Sequence, residues 1–143
     1  MKVSEVMTHH VLVVSPDETI EKAAGIMGDA NVGIIPVLEG KRLVGVITDR
    51  DIAVRGMSKG GPSGKWLVGD VMTENVHFCL DDDDIADVTR RMGEMRIRRM
   101  PVFDRRNVLA GIVSLDDIAT RVEWEHAVID ALRKIAASSR IAL

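Results

Sequence analysis

The chain repeats itself, and no other feature constrains it as strongly. Laid over itself at an offset of 65 residues, Val6-Met7-Thr8 falls on Val71-Met72-Thr73, and Ile20 falls on Ile85. Met27-Gly28 likewise falls on Met92-Gly93, and Pro36-Val37 on Pro101-Val102. One extra residue enters the second copy around Arg105-Arg106-Asn107. Beyond it Gly45, Thr48 and Asp51-Ile52 fall on Gly111, Ser114 and Asp117-Ile118. An insertion confined to a turn is where a repeat tolerates one, because turns lie at the surface and pack against little. At 143 residues there is room for one ordinary domain, or for two very small ones that share a core.

Each copy reads as β-α-β-β-α. In the first, Val11-Leu12-Val13-Val14 is short, continuous and β-branched, which predicts a buried strand. Ser15-Pro16-Asp17-Glu18 predicts a helix start, with a cap at Ser15 and proline at the first position. Ile20, Ala23, Ala24 and Met27 then form one apolar face. Ile34 to Leu38 and Leu43 to Ile47 predict two strands joined by a turn at Glu39-Gly40-Lys41, and Asp49 to about Met57 predicts a closing helix. Ile85, Val88 and Met92 line the matching first helix of the second copy. The boundaries fall at 1–58 for the first repeat, 59–65 for a Gly-rich linker, and 66–122 for the second repeat. A tail at 123–143 carries Val128, Leu132 and Ile135 at helical spacing and predicts an extra amphipathic helix. The fold class is α/β (α+β): two tandem β-α-β-β-α repeats, plus a C-terminal helix.

The stretch that carries chemistry is Gly45-Val46-Ile47-Thr48-Asp49-Arg50-Asp51-Ile52, with its second form Gly111-Ile112-Val113-Ser114-Leu115-Asp116-Asp117-Ile118. Each predicts a strand end that turns into the first turn of a helix. The glycines lack a side chain, so something can approach the backbone there. Thr48 and Ser114 stand as hydroxyl caps, and Asp51 and Asp117 follow three residues later. A hydroxyl, unpaired backbone N–H groups and a carboxylate on one rim suit a phosphorylated sugar: the donors take phosphate and the carboxylate accepts from ribose hydroxyls. A Thr-x-x-Asp pattern also opens many helices as a plain capping box. Duplication is what lifts it above that.

These features together resemble a pair of CBS domains, a Bateman module. The resemblance covers roughly residues 1 to 122 and rests on Met-Thr at the start of each repeat, the Pro-Val strand, and the closing G-x-x-[ST]-x-x-D. The free-standing form with Thr48-Asp49-Arg50-Asp51-Ile52 is similar to small stand-alone bacterial CBS-pair proteins. The resemblance implies repeats packed with pseudo-twofold symmetry, two clefts that hold AMP, ADP, ATP or another adenosyl ligand, and a homodimer. Carried over by position, the first cleft uses Thr48 and Asp51, with Val76 and His77 near adenine and Arg98 and Arg99, just before Met100-Pro101, toward phosphate. The second uses Ser114 and Asp117, with Val11, Leu12 and Ile34-Ile35-Pro36 from the first repeat. Where the second repeat has Arg98-Arg99 the first has Gly33-Ile34, so the second cleft lacks matched cations. A charge-assisted hydrogen bond contributes about 1.5–3 kcal/mol, which makes the first cleft the tighter nucleotide site.

Other readings carry less. Asp81 to Asp84 lacks the alternating ligand spacing of a calcium loop and sits where a helix dipole favours acids. His9, His10, His77 and Cys79 show no local spacing diagnostic of zinc. One cysteine excludes an internal disulfide. No nucleophile elbow or P-loop is present, and a non-enzymatic protein is expected. Net charge −3, 3% aromatic residues and no tyrosine argue against nucleic acid. No apolar run spans a bilayer and the N-terminus lacks a secretory pattern, so a cytoplasmic protein is expected. The leading expectation is an adenine-nucleotide sensor acting on a regulated protein that the sequence does not identify. Its rivals are a ligand-free scaffolding dimer, a module for NAD or S-adenosylmethionine, and a nucleic-acid binder using the arginine patch.

Overall fold

The computed structural model describes residues 1–61, 64–121 and 125–138. Pro62 and Ser63 of the expected linker, and 122–124 and 139–143 at the ends of the second repeat and tail, lie outside the described residues. The chain forms two units. One is Val11–Val76; the other joins Met1–His10 to the chain from His77 on.

In the unit Val11–Val76, helix α1 (Ile20–Ala30) buries Ile20, Ala23 and Met27 while Ala24 stays exposed. Its cap is Thr19, whose hydroxyl accepts from Lys22 N–H at 3.2 Å. Ser15, expected as that cap, instead closes a preceding turn by accepting from Asp17 N–H at 3.1 Å. Strands β1 (Ile34–Glu39) and β2 (Arg42–Thr48) pair antiparallel, with Gly40 at φ +63° in the tight turn between them. Val11 to Val14 does not form the expected strand. Only Val14 pairs, in a single parallel bridge to Val37, and Leu12 and Val13 are exposed. After β2 comes the expected closing helix: α2 (Asp49–Asp51) widens into a π turn at Ile52–Gly56 and returns to α-helix at Met57 and Ser58. A short helix α3 (Val68–Val71) leads to Thr73, which bridges antiparallel to Val46. The core is Val14, Ile20, Ala23, Met27, Ile35, Val37, Ile47, Val68 and Val71. Fully burying one such aliphatic side chain stabilises the fold by about 1.5–3 kcal/mol.

The other unit repeats this plan. Strand β3 (Cys79–Leu80) runs parallel to β4 (Arg99–Phe103), which pairs antiparallel with β5 (Leu109–Ser114). Helix α4 (Ile85–Met95) buries Ile85, Val88 and Met92 as the spacing predicts. The extra residue lies in the β4–β5 turn, where Asn107 takes φ +64°. Helices α5 (Leu115–Arg121) and α6 (Glu125–Ser138) complete the unit. Val128 and Ala131 of α6 join the same core as Val88, Met92 and Ile118. The tail is therefore a helix packed on the second repeat.

In each unit the fourth line of the sheet comes from a Met-Thr segment adjoining the opposite repeat. Thr73 exchanges backbone hydrogen bonds with Val46 at 2.8 and 2.9 Å, and Thr8 with Ile112 at 2.8 and 3.1 Å. Gly45 makes this approach possible, since a Cβ there would stand 2.7 Å from the Thr73 carbonyl oxygen. Gly111 does the same for Thr8. The open backbone at these glycines is filled by the chain's own strand. Arg55 then donates to the carbonyls of Val71 and Met72 at 3.2 and 2.9 Å, and Arg121 to that of Glu5 at 3.3 Å, tying each closing helix to its borrowed segment.

Candidate functional site

The end of β2 builds a closed capping box. Thr48 Oγ1 accepts from Asp51 N–H at 3.0 Å, and Asp51 Oδ2 accepts from Thr48 N–H at 3.0 Å. The reciprocal bonds form because the strand leaves Thr48 extended while Asp51 already has helical backbone angles. The end of β5 builds the same box: Ser114 Oγ accepts from Asp117 N–H at 3.0 Å and Asp117 Oδ2 accepts from Ser114 N–H at 3.2 Å. Both members of the expected pair are thus positioned alike.

They differ in what else holds the carboxylate. Thr73 Oγ1 donates toward Asp51, 3.1 Å from Oδ1 and 3.2 Å from Oδ2, and Asp51 is buried, 7% exposed. Thr8 matches Thr73 by position, yet no bond from Thr8 to Asp117 occurs among the described residues, and Asp117 is half-buried. Sequence reasoning missed Thr73, although the duplicated Met-Thr was its signal. A carboxylate offers about four acceptor sites, so Asp51 keeps capacity for further donors after Thr48 and Thr73.

Within the unit Val11–Val76, Ile34 stands opposite Thr48 across β1 and β2, and the Gly33 carbonyl accepts from Asp49 N–H at 3.1 Å. Ile35 is fully buried in the core and Pro36 is buried, with the Pro36 carbonyl accepting from Val14 N–H at 3.1 Å. Val11 and Val76 are half-buried and Leu12 exposed. In the other unit, Arg99 stands opposite Ser114, and the Arg98 carbonyl accepts from Leu115 N–H at 3.0 Å. Arg98 also pairs with Asp116 at 3.6 Å, both side chains largely exposed. Arg98, Arg99, Ser114 and Asp117 therefore share one strand-end rim, with His77 exposed and Pro101 buried in the same unit. Thr48 and Asp51, expected to work with the arginines, belong to the unit Val11–Val76.

The acidic run is used internally. Asp82 meets Arg105 at 2.8 Å, a bond that lowers the Asp82 carboxyl below its ordinary range. Asp83 accepts from Leu80 N–H at 2.9 Å. Cys79 is buried, and desolvation pushes its thiol up to about 12. Among the described residues no three His, Cys, Asp or Glu side chains are grouped to hold a metal ion. No described helix is long and apolar enough to cross a membrane.

The comparisons with known proteins agree with the duplicated architecture. The CBS domain model matches residues 3–56 and again 68–123. The CBS domain-containing protein YhcV of Bacillus subtilis (strain 168) is 38% identical over 134 residues, 94% of each chain. Hypoxic Response Protein I, solved with two coordinated zinc ions, is similar at TM-score 0.76 and 28% identity, over 85% of this chain and 99% of that one. The CBS domain pair of protein MJ0100, solved with 5-methylthioadenosine and S-adenosyl-L-methionine, is similar at TM-score 0.75 and 26% identity, over 84% and 94%. CBSX2 in complex with AMP is similar at TM-score 0.71 and 29% identity, over 83% and 93%. With two matches that together span most of its length, the chain belongs to the CBS domain family and is a CBS pair.

Proposed function

We propose that this CBS pair is a non-catalytic regulatory module that binds an adenosyl ligand, AMP, ADP or ATP first among them, and works as a homodimer. The observation that carries the reading is the duplicated rim: hydroxyl and carboxylate fixed by the same reciprocal bonds at the ends of β2 and β5. A carboxylate held this way is a preorganised acceptor for the paired hydroxyls of ribose. The adenosyl ligands of the MJ0100 and CBSX2 structures support the ligand class.

Ribose contact falls to Thr48 and Asp51 in one unit and to Ser114 and Asp117 in the other, with Val11, Leu12, Ile34, Ile35, Pro36 and Val76 in the unit of the first pair and His77, Arg98, Arg99 and Pro101 in the unit of the second. Thr73 orients Asp51 before any ligand arrives. Arg98 must exchange Asp116 for phosphate, a small cost because an exposed pair contributes only about 0.2–1 kcal/mol. Ligand binding regulates a partner protein only through unequal affinity for two arrangements of the module.

Calorimetric titration of the nucleotide-stripped chain with AMP, ADP, ATP, NAD, S-adenosylmethionine and 5-methylthioadenosine tests the reading. Micromolar binding of an adenine nucleotide at one or two sites per chain is expected. Binding of S-adenosylmethionine alone would move the ligand within the class, and six flat traces would favour a scaffold. Cycles of the double variant Arg98→Ala, Arg99→Ala with Asp51→Asn and with Asp117→Asn read which carboxylate shares a nucleotide with the arginines.

A further inference from the structure

The duplication allows the two units to be compared position by position, and one face differs. On the second repeat, α6 lies across α4 and α5. Gly93 permits the approach: a Cβ there would stand 2.9 Å from the Ala131 Cα. Beneath α6, Thr89, Gly93 and Ile118 are buried. The matching positions on the first repeat are Ala24, Gly28 and Ile52. Ala24 and Gly28 are exposed, Ile52 is half-buried, and a Cβ on Gly28 or Gly25 would meet nothing within 4 Å. Glycine inside a helix costs about 1 kcal/mol against alanine, so two on the open side of α1 are unfavourable unless something packs there.

What lies open is a groove. About 380 Å³ of space between α1 and the π turn is lined by Ile20, Ala24, Met27, Ile52, Ala53 and Met57, with Glu21 and Asp49 as its acidic members. Val54 and Met57 beside it are 54% and 63% exposed. Among the described residues, the same helix pair is covered on one repeat and open on the other.

Helix α6 has the surface to cover it. Its inner face, Val128, Ala131 and Ile135, packs on the core of its own unit. A second stripe, Ile129, Leu132 and Ala136, faces outward, with Ile129 and Leu132 42% and 37% exposed. Exposed Arg133 borders that stripe and matches the acids of the groove in charge. We propose that the groove between α1 and the π turn receives the outer face of α6 from a second copy of this chain. The inference deepens the homodimer reading above by naming its interface, and it does not depend on the ligand.

Sedimentation of the full chain, with variants of both faces, tests it. The chain is expected to run as a dimer. Leu132→Asp, on the exposed face of α6, and Ala24→Leu, at an exposed position lining the groove, are each expected to run as monomers with unchanged far-UV circular dichroism. In an oxidised equimolar mixture of Ala24→Cys and Leu132→Cys chains, the expected disulfide joins one of each; native Cys79 is buried. A monomeric unaltered chain overturns both the interface and the homodimer. A dimer that survives either surface variant, or an Ala24→Cys chain linked to itself, leaves the homodimer standing and overturns this interface.

Discussion

Asp51 shows how one side chain serves structure and chemistry together. Its carboxylate caps α2 through Thr48, is held by Thr73, and is buried on the rim that would meet ribose. Hydrogen bonds to charged groups contribute about 1.5–3 kcal/mol, so Thr73→Val should lower stability by roughly that amount in urea unfolding. Thr8→Val, which removes no bond to Asp117, should change it by less than about 0.5 kcal/mol. Equal losses would contradict the asymmetry. Cys79 offers a pH test in the same unit as Thr8. Its thiol is pushed up from 9.0 to about 12, first by desolvation, then by the Asp83 carboxylate, with Arg91 opposing. The folded protein thus binds the thiol proton more tightly than the unfolded chain does. The stability from this group is complete below about pH 8.5, where the unfolded thiol is still protonated, and is lost as pH rises toward about 12. The urea midpoint should fall more between pH 8 and pH 10.5 for the unaltered chain than for Cys79→Ala.

Among the elements, the long helices and the paired strands were legible because their burial follows one period over many residues. Ile85, Val88 and Met92 recur on one side of α4, and β1 and β2 flank a turn with glycine where φ is positive. Val11 to Val14 was not legible. Its β-branched residues favour extended backbone, but a strand needs a neighbour along its length, and only Val14 meets one. The start of α1 misled for a related reason. Ser15 and Thr19 both cap well, and Pro16 fits a turn as readily as a helix start. At the other ends of α1 and α4, Asn31 and Arg96 both take left-handed backbone, at φ +53° and +57°. Asparagine tolerates that conformation and arginine does so less well. Arg96→Asn should therefore raise stability by about 0.5 kcal/mol, within the range seen when backbone and residue preference are matched, measured by urea unfolding. The loss of stability would point to an unrecognised contact of Arg96.

Over the full chain, the duplication carries both fold and candidate site. It could be aligned in the sequence, and with it the matched caps Thr48–Asp51 and Ser114–Asp117. What alignment could not show is which segment packs with which repeat. That depends on the carbonyls of Thr73 and Thr8 reaching Gly45 and Gly111, contacts between positions far apart in the chain. The rim also stands where the borrowed segment meets the repeat: Thr73 pairs with β2 and holds Asp51 at once. A ligand on Asp51 would therefore stand one bond from the strand that completes the sheet. The most direct test of the account compares ATP with 2′,3′-dideoxy-ATP by calorimetry, on the unaltered chain and on Asp51→Asn. A charged acceptor for the ribose hydroxyls predicts that the dideoxy compound binds the unaltered chain roughly 10–100-fold more weakly, from about 1.5–3 kcal/mol, and that Asp51→Asn removes most of the difference. Equal binding of the two compounds by the unaltered chain would contradict a ribose role for this carboxylate.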